Sequence, residues 1–309
     1  MRRLALTLLL LCLYSCAPEV QGHVKAIIGA VLIDGEGGPP VSNSIVVVAG
    51  GRIRAAGPSA SVPIPGDADK IDGSGKFLVP ALVDICDRAD PPGMLHPTSP
   101  EDARAQVAAM AARKVTAIHV GKLAPAIVEA VLEAAREAHI PVTGHITTQA
   151  EARLLVDKGA TVLVGMIRDT EDPDPNLLAK MRDLRIVVAP ALTHAAAALE
   201  TAKRNTGRMF QAGVLLALAS EGGDPLQETG LLMEAGVPPL DVIVAATRNG
   251  ALALHQLDER GTIEADRRAD LLLLSANPAE DVRNLRKVSL RMSGGESVGA
   301  GGQEPGARE

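Results

Sequence analysis

The sequence is poor in aromatic residues: among 309 residues there is no tryptophan, one tyrosine and two phenylalanines. Stacking bases or sugar rings on aromatic side chains is therefore not its means of recognition. It also lacks a surplus of positive charge. Thirty-one Lys and Arg stand against 37 Asp and Glu, for a net charge of −6 and a pI near 5.7. No polyanion-binding surface, and so no nucleic-acid partner, is expected. Of three cysteines, Cys12 and Cys16 fall at the extreme N-terminus and only Cys86 lies in the body, which excludes an internal disulfide framework. A phosphate loop is missing too: GEGG at 35–38 and SEGG at 220–223 lack its spacing and its lysine. What is present is a 47% apolar, 22% charged chain with 30 Gly and 21 Pro, enough for a large core interrupted by many turns.

Residues 1–16, MRRLALTLLLLCLYSC, combine a basic start at Arg2 and Arg3 with an apolar stretch from Leu4 to Leu13, too short to span a bilayer. The ending Leu13-Tyr14-Ser15-Cys16 resembles a bacterial lipobox, which predicts a lipoprotein-type signal peptide over 1–16 and lipid attachment at Cys16. The protein is then expected in the bacterial cell envelope, membrane-bound through its lipid. Ala17 after the cysteine favours the outer membrane or periplasmic face; secretory cleavage before His23 is the alternative.

Residues 24–57 read as short strands around Gly turns, with a hairpin signal at Gly50-Gly51. The apolar run Phe77–Ile85 reads as one strand buried on both faces. From residue 100 the pattern alternates amphipathic helices with short apolar strands, as in a parallel sheet with crossover helices. Strands are expected at 77–85, 115–121, 141–146, 161–167, 185–192 and 214–220. After Gly261 β-type runs return, and 297–309 is a Gly-rich tail expected to be disordered. The fold class is α/β. Segments 22–77 and 257–296 are expected to form a composite β-sandwich from both chain ends, around a TIM-like (β/α) barrel at 78–256. The stretch from Pro80 to Leu254 is roughly 175 residues, short of the ~200–250 such a barrel takes, so it is read as shortened or incomplete. DRADPPGMLHPTSP would bridge two lost βα units, and the sheet edge left uncovered would favour a homo-oligomer.

Three stretches carry a family resemblance. IDGSGKFLVPALVDICDR resembles the opening signature of the amidohydrolase superfamily, GTIEADRRADLLLLSANPAEDVRNLRKV its closing segment, and GVPPLDVIVAATRNGALAL the helix before that segment. The likeness runs in the right order from about 24 to 296 and is nearest the imidazolonepropionase-like and Xaa-Pro dipeptidase-like branch. It implies a metal-dependent hydrolase of carbon–nitrogen bonds: zinc or a similar cation activates water and polarises the carbonyl of a small amide, cyclic amide or dipeptide.

The resemblance also implies where the ligands fall. The first-strand H-x-H lands on Cys86 and Arg88; cysteine is a zinc ligand, arginine a permanent cation that cannot ligate. The fourth-strand lysine lands on His119, with Lys122 as the alternative. The fifth-strand histidine is His145, the sixth-strand histidine lands on Gly165, and the eighth-strand acid becomes Glu221. Cys86, His119, His145 and Glu221 are thus the candidate metal ligands, with Glu221 also the candidate general base. His23, His96, His139, His194 and His255 are not expected to ligate, and Asp84 and Asp270 read as structural. With two ligand positions lost, a binuclear centre is not expected. Two readings stay open: a one-metal hydrolase with an eroded site, and a catalytically inactive homologue with a binding or scaffold role.

Overall fold

A computed structural model describes residues 23–87, 93–115 and 117–298. The leader with Cys16, Arg88 and the Gly-rich tail from residue 299 lie outside the described residues, whereas Ser297 and Val298, expected in that disordered tail, belong to the last strand.

Five strands come first: β1 (Lys25–Leu32), β2 (Val41–Ala49), β3 (Arg52–Pro58), β4 (Asp69–Asp72) and β5 (Phe77–Pro80). A βα series follows: β6 (Met94–Leu95), α1 (Pro100–Ala112), β7 (Ile118–Val120), α2 (Pro125–Glu137), β8 (Val142–Ile146), α3 (Gln149–Asp157) and β9 (Val162–Gly165). It continues through α4 (Pro175–Asp183), β10 (Val187–Ala189), α5 (Leu199–Gln211) and β11 (Leu215–Leu216). Then come α6 (Pro225–Glu234), α7 (Pro239–Val244), a π-helical turn at Ala245–Asn249 and α8 (Gly250–Ala253). Strands β12 (Leu271–Leu274), β13 (Val288–Ser293) and β14 (Glu296–Val298) close the chain. Among the described residues no helix is long and apolar enough to cross a membrane.

The strands form two sheets. One holds both chain ends in the order β14-β13-β12-β5-β1-β2-β3, with β4 beside β1. Its seam is the antiparallel pair β5–β12, where Leu78 faces Leu273. Ile27, Val46, Ile53, Leu78, Leu271 and Met292 fill its core. The other sheet is parallel, in the order β11-β10-β9-β8-β7-β6. Its outer face packs on the helices through residues such as Ile118, Val131, Leu155, Leu163 and Met181. The opposite face carries short side chains, among them Val162, Val187, Ala189, Ala217 and Ala219, against which Ile85 and Cys86 pack.

Two expectations are corrected. The run 77–85 is not one strand: Phe77–Pro80 belongs to the first sheet, and beyond it only Asp84 bridges in parallel to Leu218 beside β11. Hydropathy carries no mark of the crossing, because Ala81, Leu82 and Val83 are as apolar as a strand. The gap before α1 is also smaller than expected, since β6 already pairs with β7 inside the stretch read as a bare connection. Among the described residues no strand pairing joins β6 to segment 83–86, so this sheet is not closed on itself by hydrogen bonds.

Candidate metal centre

The candidate residues gather at the C-terminal ends of the parallel strands, the end where βα sheets place their sites. His145 is the penultimate residue of β8. The turn after it is fixed by Glu151, whose Oε2 accepts from the N–H groups of Thr147 and Thr148 at 2.8 and 3.0 Å. Thr148 in return caps α3, completing a capping box. Glu221 follows β11 and is held beside Cys86 by backbone: its N–H donates to Cys86 O at 2.7 Å. Asp84 clasps the same two segments, its Oδ1 accepting from Cys86 N at 3.0 Å and Ser220 N at 3.1 Å. Glu221 sits at φ 47°, a left-handed conformation that a non-glycine residue seldom takes outside a constrained site.

The ligating atoms of Cys86, His145 and Glu221 all lie within 4.8 Å of one another. The fourth sequence candidate, His119 on β7, stands beside this group, its ring centroid 6.1 Å from that of His145. Lys122, the alternative, lies two residues beyond the end of β7 and is exposed. Where the sixth-strand histidine was expected, Gly165 ends β9 at φ +93°, and a Cβ there would lie 2.3 Å from Ile146 O. The backbone itself excludes a side chain at that point.

Protonation follows from these contacts. His145 Nδ1 lies 3.1 Å from Glu221 Oε1. That hydrogen bond is the main reason Glu221 stays below the usual carboxylate range although burial pushes the other way. Burial, and next the neighbouring His145, lower His119 to about 4, so it is neutral at pH 7 with a lone pair to offer. Two imidazole nitrogens, His119 Nδ1 and His145 Nε2, are buried without a hydrogen-bond partner. Orphaned buried nitrogens are rare and call for an explanation. A sulfur, nitrogen and oxygen donor set with a bare imidazole lone pair fits a borderline divalent cation such as zinc.

Above the donors opens a cavity of ≈ 210 Å³, walled by His145, Gly165, Arg168, Ala191, His194 and Glu221 among others. His194, set aside in the sequence reading, stands on a 3-10 turn (Leu192–His194) after β10, with Nδ1 3.9 Å from Glu221 Oε2. Its signal was weak: the Ala run that follows reads as one helix, whereas α5 begins only at Leu199. The turn hangs on Glu228 of α6, which is 0% exposed and accepts from Leu192 N at 2.7 Å and Thr193 N at 2.9 Å.

Burial raises Glu228 from 4.5 to about 7 despite those two donors, and Asp84 nearby adds to the rise. Because the folded value is the higher one, the unfolded chain loses this proton first as pH climbs. The stability involved is full below pH 4.5 and is lost as pH rises through 7. We expect the unfolding free energy of wild type, relative to Glu228→Gln, to fall by about 3 kcal/mol across that window. Chemical denaturation at a series of pH values measures it, and a flat difference refutes the assignment.

Comparison with known proteins gives the context. The family model described as amidohydrolase family matches residues 97–298. No curated protein matches the sequence. Among solved structures, a Bifidobacterium longum protein assigned as a prolidase is similar at TM-score 0.79 and 21% identity, over 92% of this chain and 97% of that one. A Xaa-Pro dipeptidase with methionine bound in its active site gives 0.77 at 15% identity, over 90% and 100%. Phenylurea hydrolase B gives 0.76 at 19% identity, over 89% and 96%. At such identities the structures establish the fold, while the family model spans well over half the chain: this protein belongs to the amidohydrolase family.

Proposed function

We propose that the chain hydrolyses carbon–nitrogen bonds in small amides or dipeptide-like molecules with the help of one divalent cation. The observation that carries this is the convergence of Cys86, His145 and Glu221 under a cavity large enough for a small molecule. A zinc-type cation held by these three residues would supply a polarised carbonyl and a water of lowered pKa. The protein's own part is to keep His145 and Glu221 in register, to hold Glu221 ionised, and to accept and return a proton at its carboxylate. The parallel sheet is, in this reading, the incomplete barrel expected from the sequence. A second cation has no place, because Gly165 offers no donor and Arg88 cannot ligate.

Gly165 also favours the second reading, a binding protein that keeps the scaffold without the chemistry. The two are separated by loading residues 22–298 with zinc and measuring metal per chain together with release of amine from small amides. One bound zinc and zinc-dependent release support the hydrolase. No zinc and no release leave the binding role.

We also infer attachment to a membrane through Cys16, on the lipobox-like Leu13-Tyr14-Ser15-Cys16. Cys16→Ser is expected to move the protein from the membrane to the soluble fraction; retention of the variant would overturn the inference.

A further inference from the structure

Three residues around the cavity hold a left-handed backbone that non-glycine residues seldom adopt: Ala191 at φ 50°, Ala196 at φ 46° and Glu221 at φ 47°. Such residues persist where their surroundings over-determine them, and they gather at ligand sites. Two of the three bracket the turn that carries His194. Its backbone is held from three directions. Glu228 accepts from Leu192 N and Thr193 N at 2.7 and 2.9 Å. Arg168 Nη1 donates to His194 O at 3.2 Å. The side chain of Leu192 is sunk in the core. Among the described residues Glu228 forms no ion pair, and the charge that acts on it, that of Asp84, is of like sign. Burying a carboxylate without a cation is strongly unfavourable. What it fixes here is a turn whose half-exposed imidazole lines the cavity.

His194 Nδ1 lies 3.9 Å from Glu221 Oε2. Two donors on one tetrahedral zinc stand about 3.4 Å apart, so a small side-chain rotation brings this nitrogen within reach of a cation held by Glu221. Its present neighbour is the hydroxyl of partly exposed Thr193, at 3.2 Å, which water can serve instead. Gly165 explains why the donor comes from this turn. It lines the same cavity, has no side chain, and would place any Cβ 2.3 Å from Ile146 O. The end of β9 therefore cannot present a ligand, and the turn after the next strand, β10, faces the space left open with an imidazole.

We propose that His194 is a fourth protein donor to a cation held by Cys86, His145 and Glu221, and that Glu228 is the positioning residue that keeps it in reach. One sulfur, two imidazoles and one carboxylate suit zinc and not magnesium or calcium. His194 is added here to the cation of the hydrolase reading, which needs only three protein donors.

The test measures zinc affinity in the full-length protein by competition with a chromophoric chelator. His194→Ala is expected to weaken zinc at least about tenfold. Glu228→Gln should weaken it severalfold on its own and add nothing in the His194→Ala background, because it acts only through that imidazole. Cobalt loaded in place of zinc gives a visible absorption set by its donors, and His194→Ala should shift it. Because His194 is half exposed, the metal-free variant should melt where metal-free wild type does, which separates a lost donor from a damaged fold. Unchanged zinc affinity and an unchanged cobalt spectrum in His194→Ala overturn the proposal, as does a wild type that binds neither metal. A full additional loss on adding Glu228→Gln to His194→Ala refutes the positioning role. The hydrolase reading fails separately. Zinc binding that depends on His194, with no amide hydrolysis, sinks that reading and leaves this one standing. Zinc-dependent hydrolysis with an affinity that His194→Ala does not alter does the reverse.

Discussion

Gly165→His is expected to unfold the protein at a temperature roughly 10 °C lower than wild type and to bind no additional metal. On sequence grounds this substitution restores a missing ligand. The structure makes it a steric fault. A left-handed backbone costs a non-glycine residue about 1–2 kcal/mol, and the new Cβ would start 2.3 Å from Ile146 O. Relieving that overlap means moving β8 relative to β9, which are paired there as Ile146 against Gly165. Overpacking of this kind costs about 1–3 kcal/mol or more. The shift would also displace His145, one residue away on β8. Calorimetric unfolding and elemental analysis read both consequences. An unchanged melting temperature with a gain of zinc would show that the ends of β8 and β9 lie otherwise than described.

The second large effect concerns the thiol. Cys86→Ser and His145→Ala should each weaken zinc binding at least about 100-fold, measured by competition with a chromophoric chelator. Loss of even an outer partner of a metal ligand costs about 10–100-fold, and these residues contribute the donors themselves. The variants are told apart by protons. A thiol must ionise to bind zinc, so wild type should release about one proton per zinc at neutral pH and Cys86→Ser about none. His145→Ala should still release it, while Glu221, deprived of its imidazole partner, returns toward an ordinary carboxylate. Equal zinc affinity in Cys86→Ser would reduce Cys86, 2% exposed among Ile85, Val162 and Val187, to an apolar filler.

Much of this architecture was legible in the residues. Helices α1, α3 and α4 start behind the capping side chains of Ser99, Thr148 and Asp174 and α2 at Pro125, all within the stretch where amphipathic helices alternate with short apolar strands. The likeness of the 71–88 and 261–288 stretches to a family signature led to three donors that do converge. Three features left no readable trace. The passage of the chain between sheets at 81–83 is hidden because hydropathy is the same on both sides. Strand β6 is two residues long, too short for any periodicity. Glu228 looks like a surface acid of an amphipathic helix; that it is fully buried under the His194 turn depends on how α6 packs on residues 192–193, which no local pattern encodes. The left-handed Gly165 is an intermediate case. A glycine in place of an expected histidine hints at a backbone constraint, but only the position of Ile146 O shows that a side chain is forbidden.

The seam between β5 and β12 has a consequence for how the polypeptide is made. Phe77–Pro80 pairs on one side with β1, and on the other finds its antiparallel partner in Leu271–Leu274, nearly two hundred positions later. Until the ribosome has released that distant segment, the N-terminal strands have an open side and the first sheet cannot be completed. Completion of this sheet is therefore a late event that waits on the final few dozen residues, and a nascent chain halted before residue 271 stays incompletely folded.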